Sequence, residues 1–494
     1  MEENHSEQEL VRRGKLQELR DKNINPYPSK SLRTAKIGDL QEKYKDLPNG
    51  EELQEPFDVV GRVHAWRTGG KVTFVDIKDE TGRMQLFVSL NKIGEEVYND
   101  LKLFDIGDII GASGNIKRTN RGELSLHVEK ITLLSKALKP LPEKYHGLTD
   151  KEMIYRKRYL DLIMNDESKE LFRKRSMFIK EMRNFMDSKG FMEVETPVLE
   201  LVPGGADARP FITHHNTLDL QLFLRISLEL HLKRLIVGGY EKVFEVGRVF
   251  RNEGMSTQHL QEFTLMEFYW AYAEYQEMMD FTEEMYTTIL QKVFGTLKFK
   301  YQDTVLDFTA PWPRLDYRQL ILDKAGIDLD KYPTLEDLVP VLQEKGIHPD
   351  IKLGRGRLID QLFKKFVRPD LMQPAFLINH PLDISPLAKK HEDNPGYVQR
   401  FQVLFAGAEV GNAFTELNDP IDQKSRFDEQ SSLRDKGDDE AHMTDDDFIE
   451  ALEYGMPPTG GFGVGIDRFL AILTNSETIR DVVFFPTMKP LPKD

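Results

Sequence analysis

The sequence predicts an α+β chain of two domains, a small strand-rich domain followed by a larger one that mixes helices and strands. Three observations lead there. Between 57 and 135, short stretches alternate apolar and polar residues. From 151 onward, helical periodicity alternates with aromatic-rich strands. Between them, ALKPLPEKYHG (137–147) is proline-rich and reads as a linker. At 494 residues the chain has room for about two to four domains.

Composition narrows the function classes. With 40% hydrophobic and 30% charged residues, wholesale disorder is excluded. The absence of cysteine rules out disulfides, thiolate zinc sites and cysteine nucleophiles. No apolar run approaches the roughly 20 residues that span a bilayer. MEENHSEQEL is acidic and lacks the apolar core of a signal peptide, so the expected compartment is the cytoplasm, with no membrane partner. The formal charge of −15 is uneven. Residues 1–150 carry 24 basic against 25 acidic side chains, and the remaining 344 carry 43 against 57. A near-neutral first part is compatible with a local basic face for phosphates, and equally with an ordinary solvated surface.

The elements follow in order. QELVRRGKLQELRDK (8–22) spaces Leu10, Val11, Leu16 and Leu19 as one helical face, and Asn25-Pro26-Tyr27-Pro28 ends it. Strands are expected at FDVVGRVHAW, KVTFVDIKDE, GRMQLFVSL, DIIGASGNI and ELSLHVEKITLL, with a helix at 95–104 after the third. That order matches an OB-fold, whose strand face binds single-stranded oligonucleotides, although other small barrels share the strand count. The spacing predicts a helix over 167–189 through Leu171, Phe178, Met182 and Phe185, capped by Gly190, and then a strand at Phe191–Glu195. Further strands are expected at 222–226, 243–251, 262–269, 375–379, 409–418 and 461–466. The block 316–370 reads as a helical insertion, and DKGDDEAHMTDDD (435–447) as a solvated loop and helix start.

Familiar nucleotide and hydrolase signatures are absent: GxxxxGK[ST], GxGxxG between strand and helix, HExxH and GxSxG do not occur. A nucleotide would have to be held by arginines and carboxylates on strands. EVGRVFRNEGMSTQHLQEFTLMEFYW (245–270) offers Arg251 at a strand end and Phe263 on the returning strand. A planar guanidinium matches a phosphate and a ring stacks on a base, but the stretch also fits a surface hairpin over a core. TGGFGVGIDR (459–468) has glycines that permit close approach of a ligand, or simply tight helix–sheet packing. EVGNAFTELND (409–419) sets Glu409, Asn412 and Glu416 where they suit a hard cation or a basic group.

Together, GFMEVETP (190–197), FRNEGMSTQHLQEFTLMEFY (250–269) and GGFGVGIDRF (460–469) resemble the three ordered signature motifs of class II aminoacyl-tRNA synthetases. The OB-like domain on the N-terminal side resembles the aspartate, asparagine and lysine subgroup. NPYP (25–28), LPEKYHGLTDKE (141–152), RYLDLI (158–163), PGGADARPFITHHN (203–216), RISLELHLKRL (225–235), DISPLAK (383–389) and NAFTELNDP (412–420) resemble its lysine-specific members of bacterial type, over about 10 to 490. The resemblance implies an OB-fold anticodon-binding domain and a class II catalytic domain with a central antiparallel sheet flanked by helices. The expected division is an N-terminal helical segment at 1–50, the OB domain at 51–140, a linker at 141–150 and the catalytic domain at 151–494. It also implies ATP-dependent attachment of L-lysine to tRNA(Lys) through a lysyl-adenylate, with Mg²⁺, in a homodimer whose interface includes 167–197.

Carried over by resemblance, Arg251 would grip the ATP α-phosphate and the substrate carboxylate, and Arg468 the γ-phosphate. Glu253 and His259 would lie over the nucleotide, with Phe263 stacked on adenine. Gly205 and Glu229 would receive the α-amino group, while Glu267, Tyr269 and Glu416 face the ε-ammonium. Asn412 would lie near the carboxylate, and Glu409 with Glu416 would hold Mg²⁺. In the first domain Phe74 would stack an anticodon base, with Arg67, Gln85 and Glu123 beside it. Three positions depart from the family pattern: Leu228, His231 and Gln402, the last where a metal-binding Glu is usual. Competing readings are an aspartyl- or asparaginyl-type enzyme, a lysine ligase that modifies a translation factor, and a catalytically silent RNA-binding relative.

Overall fold

The computed structural model describes residues 6–142, 150–348, 354–435 and 443–491. The chain forms two compact units, Met1–Thr149 and Asp150–Asp494. From residue 143 to 147 the proline-rich stretch lies outside the described residues.

In the first unit, Glu52–Gly69, Val72–Lys78, Arg83–Ser89, Ile109–Arg118 and Leu124–Ser135 close into a barrel. Neighbouring strands are antiparallel except the third and fifth, which pair in parallel. The short helices Leu90–Ile93 and Glu95–Asp100 follow the third strand. This is an OB-fold. Alternate residues such as Val59, Val63, Val75, Ile77, Leu86, Val88, Ile110 and Leu126 fill its interior, as strand periodicity requires.

The first helix, Glu7–Asp21, corrects one expectation. Its buried stripe is Arg12, Leu16 and Leu19, whereas Leu10 and Val11 are exposed. Arg12 can be buried because its guanidinium donates to the carbonyls of Ile106 (3.0 Å), Ala137 (3.1 Å) and Lys139 (3.3 Å).

The second unit is built on an eight-stranded sheet. Its order is Arg314–Asp316, Ala375–Pro381, Tyr397–Phe405, Ala408–Thr415, Thr459–Gly465, Glu262–Ala271, Lys242–Phe250 and Met192–Glu193. The pairing is antiparallel except at the two edges, where it is parallel. The strand Tyr397–Phe405 was not expected. Its polar Gln399, Arg400 and Gln402 interrupt an apolar run, and Arg400 and Gln402 line the cavity described below.

Helix Asp166–Ser188 ends where Gly190 adopts φ +78°, with Phe191 N–H donating to the Met186 carbonyl. With helix Tyr275–Phe294 it covers one sheet face through Met266, Phe268 and Phe462. Helices Glu229–Val237 and Asp446–Glu453 pack with the opposite parity of residues, including Leu265, Tyr269 and Phe414. Helices Tyr317–Ala325, Leu335–Glu344 and Gly354–Phe366 form a separate core. Of the charge run at 435–447, residues 436–442 lie outside the described residues, and Asp445 is buried rather than solvated. It caps the following helix and pairs with Arg234 at 2.9 Å.

Candidate active site and nucleic-acid face

Cross-strand register brings distant residues into one row. Gln402 pairs with Asn412, Asn412 with Gly463, Gly463 with Glu267, and Glu267 with Glu245. Two register pairs along, Tyr269 opposes Gly461, which opposes Phe414. Glycine is required at 461, because a Cβ there would collide with Glu416 Oε1 and the Tyr269 ring. The row floors a cavity of about 1510 Å³. Gly205, Glu229, Arg251, Glu253, His259, Phe263, Glu267, Tyr269, Glu409, Asn412, Glu416 and Arg468 all line it.

The inner part of the cavity is acidic and formed by buried side chains. Glu267 is buried, accepting from Leu228 N–H and from the Tyr269 hydroxyl, each at 3.1 Å. Burial, with Glu229 nearby, pushes its carboxyl up to about 8. Burial likewise raises the Tyr269 phenol. Glu229 accepts from Lys233 Nζ at 2.6 Å, and Lys233 also forms an ion pair with Glu416. Burial raises the Glu416 carboxyl and Lys233 opposes that rise. On Lys233 burial works against the charge, but Glu229 and Glu416 outweigh it and its pKa rises. Gly205 has φ +82°, and a Cβ there would strike Ser227 Oγ, so the chain passes closely over the start of this helix.

The outer part is cationic and aromatic. The Arg251 guanidinium sits 5.1 Å from the Phe263 ring centre, and its Nε donates to the Ile226 carbonyl at 3.3 Å. Arg468 Nη1 donates to the Glu409 carbonyl at 3.0 Å. Asp467 ties the signature segments together: it accepts from Thr264 N–H at 2.7 Å and pairs with Arg175 at 2.8 Å. His259 Nδ1 lies 2.7 Å from Ser256 Oγ, and burial plus Arg468 lowers its pKa. Arg400 Nε donates to Asn412 Oδ1 at 2.9 Å.

Two departures from the family pattern fall where the side chain matters little to the cavity. Leu228 reaches Glu267 through its backbone N–H, and His231 faces Glu200 at 3.4 Å. Glu416, expected both to hold Mg²⁺ and to face the ε-ammonium, forms an ion pair with the Lys233 ammonium. Sequence reasoning missed Lys233 and Arg400. The available signal for Lys233 was a lysine four residues after Glu229 in an otherwise apolar helix face.

On the barrel, Arg67 opposes Phe74, Phe74 opposes Phe87, and Asp76 opposes Gln85. Phe87 packs edge-on against Phe74 at 5.5 Å and stacks on His127 at 4.6 Å. Arg83 and Arg67 both reach Asp76, at 2.5 and 3.5 Å. Glu123 is exposed, two residues before Ser125, which pairs with Gln85. The result is an aromatic strip, Phe74–Phe87–His127, flanked by hydrogen-bonding groups. Phe87 and His127 were not anticipated.

Residues 150–489 match the model of tRNA synthetases class II (D, K and N), and residues 57–134 that of the OB-fold nucleic acid binding domain. The chain belongs to the class II tRNA synthetases of the D, K and N group. Its curated relatives there are lysine–tRNA ligases. It is 49% identical to that of Moorella thermoacetica over 480 residues, 97% of each chain. It is 50% identical to that of Pediococcus pentosaceus over 489 residues, 98% of each. With that of Thermotoga maritima it shares 49% over 477 residues, 96% of this chain and 94% of the relative.

Proposed function

We propose that this chain attaches L-lysine to tRNA(Lys) at the expense of ATP. The observation that carries the reading is the pairing of a buried acidic recess, Glu229, Glu267 and Glu416 with Tyr269, with a cationic mouth at Arg251 and Arg468. The recess suits an amino acid with two ammonium groups and repels an aspartate side chain. Arg251 receives the substrate carboxylate and the ATP α-phosphate, with Asn412 beside the carboxylate, and Arg468 receives the γ-phosphate. Phe263 stacks on adenine, with Glu253 and His259 over the nucleotide. Glu229 and the backbone at Gly205 take the α-ammonium; Glu267, Tyr269 and Glu416 take the ε-ammonium.

Chemistry then needs positioning and charge neutralisation rather than a covalent group. The lysine carboxylate attacks the α-phosphorus, the bond to the β-phosphate oxygen breaks, and pyrophosphate leaves. A ribose hydroxyl of the terminal adenosine next attacks the lysyl carbonyl, the bond from that carbon to the phosphate oxygen breaks, and AMP departs with the hydroxyl proton passing to its phosphate.

Among the described residues no group of three or more His, Asp or Glu side chains forms a metal cage. That fits Mg²⁺, which is normally held by one or two carboxylates plus substrate phosphates. Glu409 would hold it, with Gln402 as a neutral neighbour, and the ion would neutralise and orient the phosphates. The barrel, within 51–140, serves as the anticodon reader through Phe74, Arg67, Gln85 and Glu123.

The chain acts as a homodimer. In support, Leu199, Leu201, Ile212 and Leu218 are exposed at the small sheet of Leu199–Glu200, Leu220–Leu224 and Ile212–His215, and Met177 and Met192 are exposed within 167–197. No helix among the described residues is long and apolar enough to cross a membrane. The cytoplasm is the compartment we assign.

Pyrophosphate exchange across the twenty amino acids tests the reading. Exchange with lysine alone, followed by charging of tRNA(Lys), is expected. Exchange with aspartate or asparagine overturns it, as does lysine activation without transfer to tRNA.

A further inference from the structure

Helix Glu229–Val237 buries a lysine among apolar neighbours. Leu230, Leu232 and Ile236 are buried on it, and Lys233 is buried completely. Its Nζ lies 2.6 Å from Glu229 Oε1, one turn back, and in ion-pair contact with Glu416 on the sheet. The rings of Phe414 and Phe448 stand 5.6 and 5.8 Å from Nζ. Packing alone does not call for an ammonium here. Apolar side chains in place of the whole ion-paired cluster would fill similar space without desolvating charges, and such replacements are often neutral or stabilising.

What an apolar side chain cannot do is hold two carboxylates side by side. The recess contains three acids, Glu229, Glu267 and Glu416, and one internal cation. With all of them ionised the net charge is −2, the complement of a substrate bearing two ammonium groups. Glu416 is also confined on its far side, since Gly461 leaves it room but only just. We propose that Lys233 is a positioning residue for the amino-acid substrate, clamping Glu229 and Glu416 in place and setting the recess charge to match two ammonium groups. The inference rests on the lysine-ligating reading above.

The test is lysine-dependent pyrophosphate exchange with full-length wild type, Lys233→Met and Lys233→Gln, together with thermal unfolding of each. Gln retains an N–H donor for a carboxylate but no charge. Lys233→Met is expected to raise the lysine KM by at least about tenfold, with the ATP KM changed less than about twofold, in a variant that still folds but melts at a lower temperature. Lys233→Gln should show a smaller rise in the lysine KM. Equal rises for both substrates, or an unchanged lysine KM in a folded variant, overturn the proposal. Loss of the folded state in both variants also overturns it, because Lys233 would then be a structural residue. Failure of the underlying reading is separately visible: the wild type itself would not exchange with lysine.

Discussion

Around Phe74 the barrel leaves Arg67 and Glu123 exposed and buries only Asp76, whereas around Glu267 the larger unit buries all of its charges. Phe74, Gln85 and Phe87 are half-buried. Glu229, Lys233, Glu267 and Glu416 are all buried. A wet aromatic strip recognises by stacking, which tolerates small shifts and adds up base by base. A buried charged recess recognises by balance, and one missing charge leaves another uncompensated. The two sites should therefore answer mutation very differently.

Glu267→Gln should produce the largest effect. Removing one partner of a buried charge pair costs about 3–5 kcal/mol, and the loss should fall on lysine rather than ATP. Separate KM values for lysine and ATP in pyrophosphate exchange check it; equal losses would break the contrast between recess and mouth. Phe74→Ala comes next, with an expected loss of about 1–3 kcal/mol in tRNA binding and little change in adenylate formation. Normal charging at limiting tRNA would show that the strip is not a recognition surface.

A pH profile sharpens the same comparison. The Glu267 carboxyl, at about 8, is mostly protonated in the empty recess at neutral pH. A lysine ammonium favours its ionised form, so binding releases a proton and affinity rises with pH until about 8. The lysine KM should fall about tenfold per pH unit well below that value and level off above it. Glu267→Gln should flatten the profile, and tRNA binding to the barrel should not share it. The smallest expected effect is at Gln402. Since Mg²⁺ draws most of its ligands from phosphates and water, Gln402→Glu should lower the Mg²⁺ requirement a few-fold at most. Coincident Mg²⁺ activation curves for wild type and variant would remove position 402 from the metal's surroundings.

Much of the fold was legible because periodicity is local. The barrel strands alternate cleanly, since each has one buried face, and helix 166–188 repeats its apolar residues at helical spacing. Strand Tyr397–Phe405 was harder to read because cavity-facing Arg400 and Gln402 replace the apolar residues that mark a strand. The first helix misled for the opposite reason. Arg12 looks like a surface residue until three carbonyls from 94 to 127 positions away meet its guanidinium.

The site divides in the same way. By itself the sequence determined the residue types available: the arginines, carboxylates and glycines of the signature segments, and the lack of any phosphate loop or cysteine. Only the tertiary structure decided their partners. Glu267, Gly463, Asn412 and Gln402 are separated by up to 196 positions, yet register aligns them on one sheet face. Glu416 shows no partner when read along the chain, and the fold delivers Lys233 to it from a helix 183 residues earlier. Local pattern reports which face of an element is apolar. Which charges meet once water is excluded depends on long-range packing, and that is where their pKa values and roles are set.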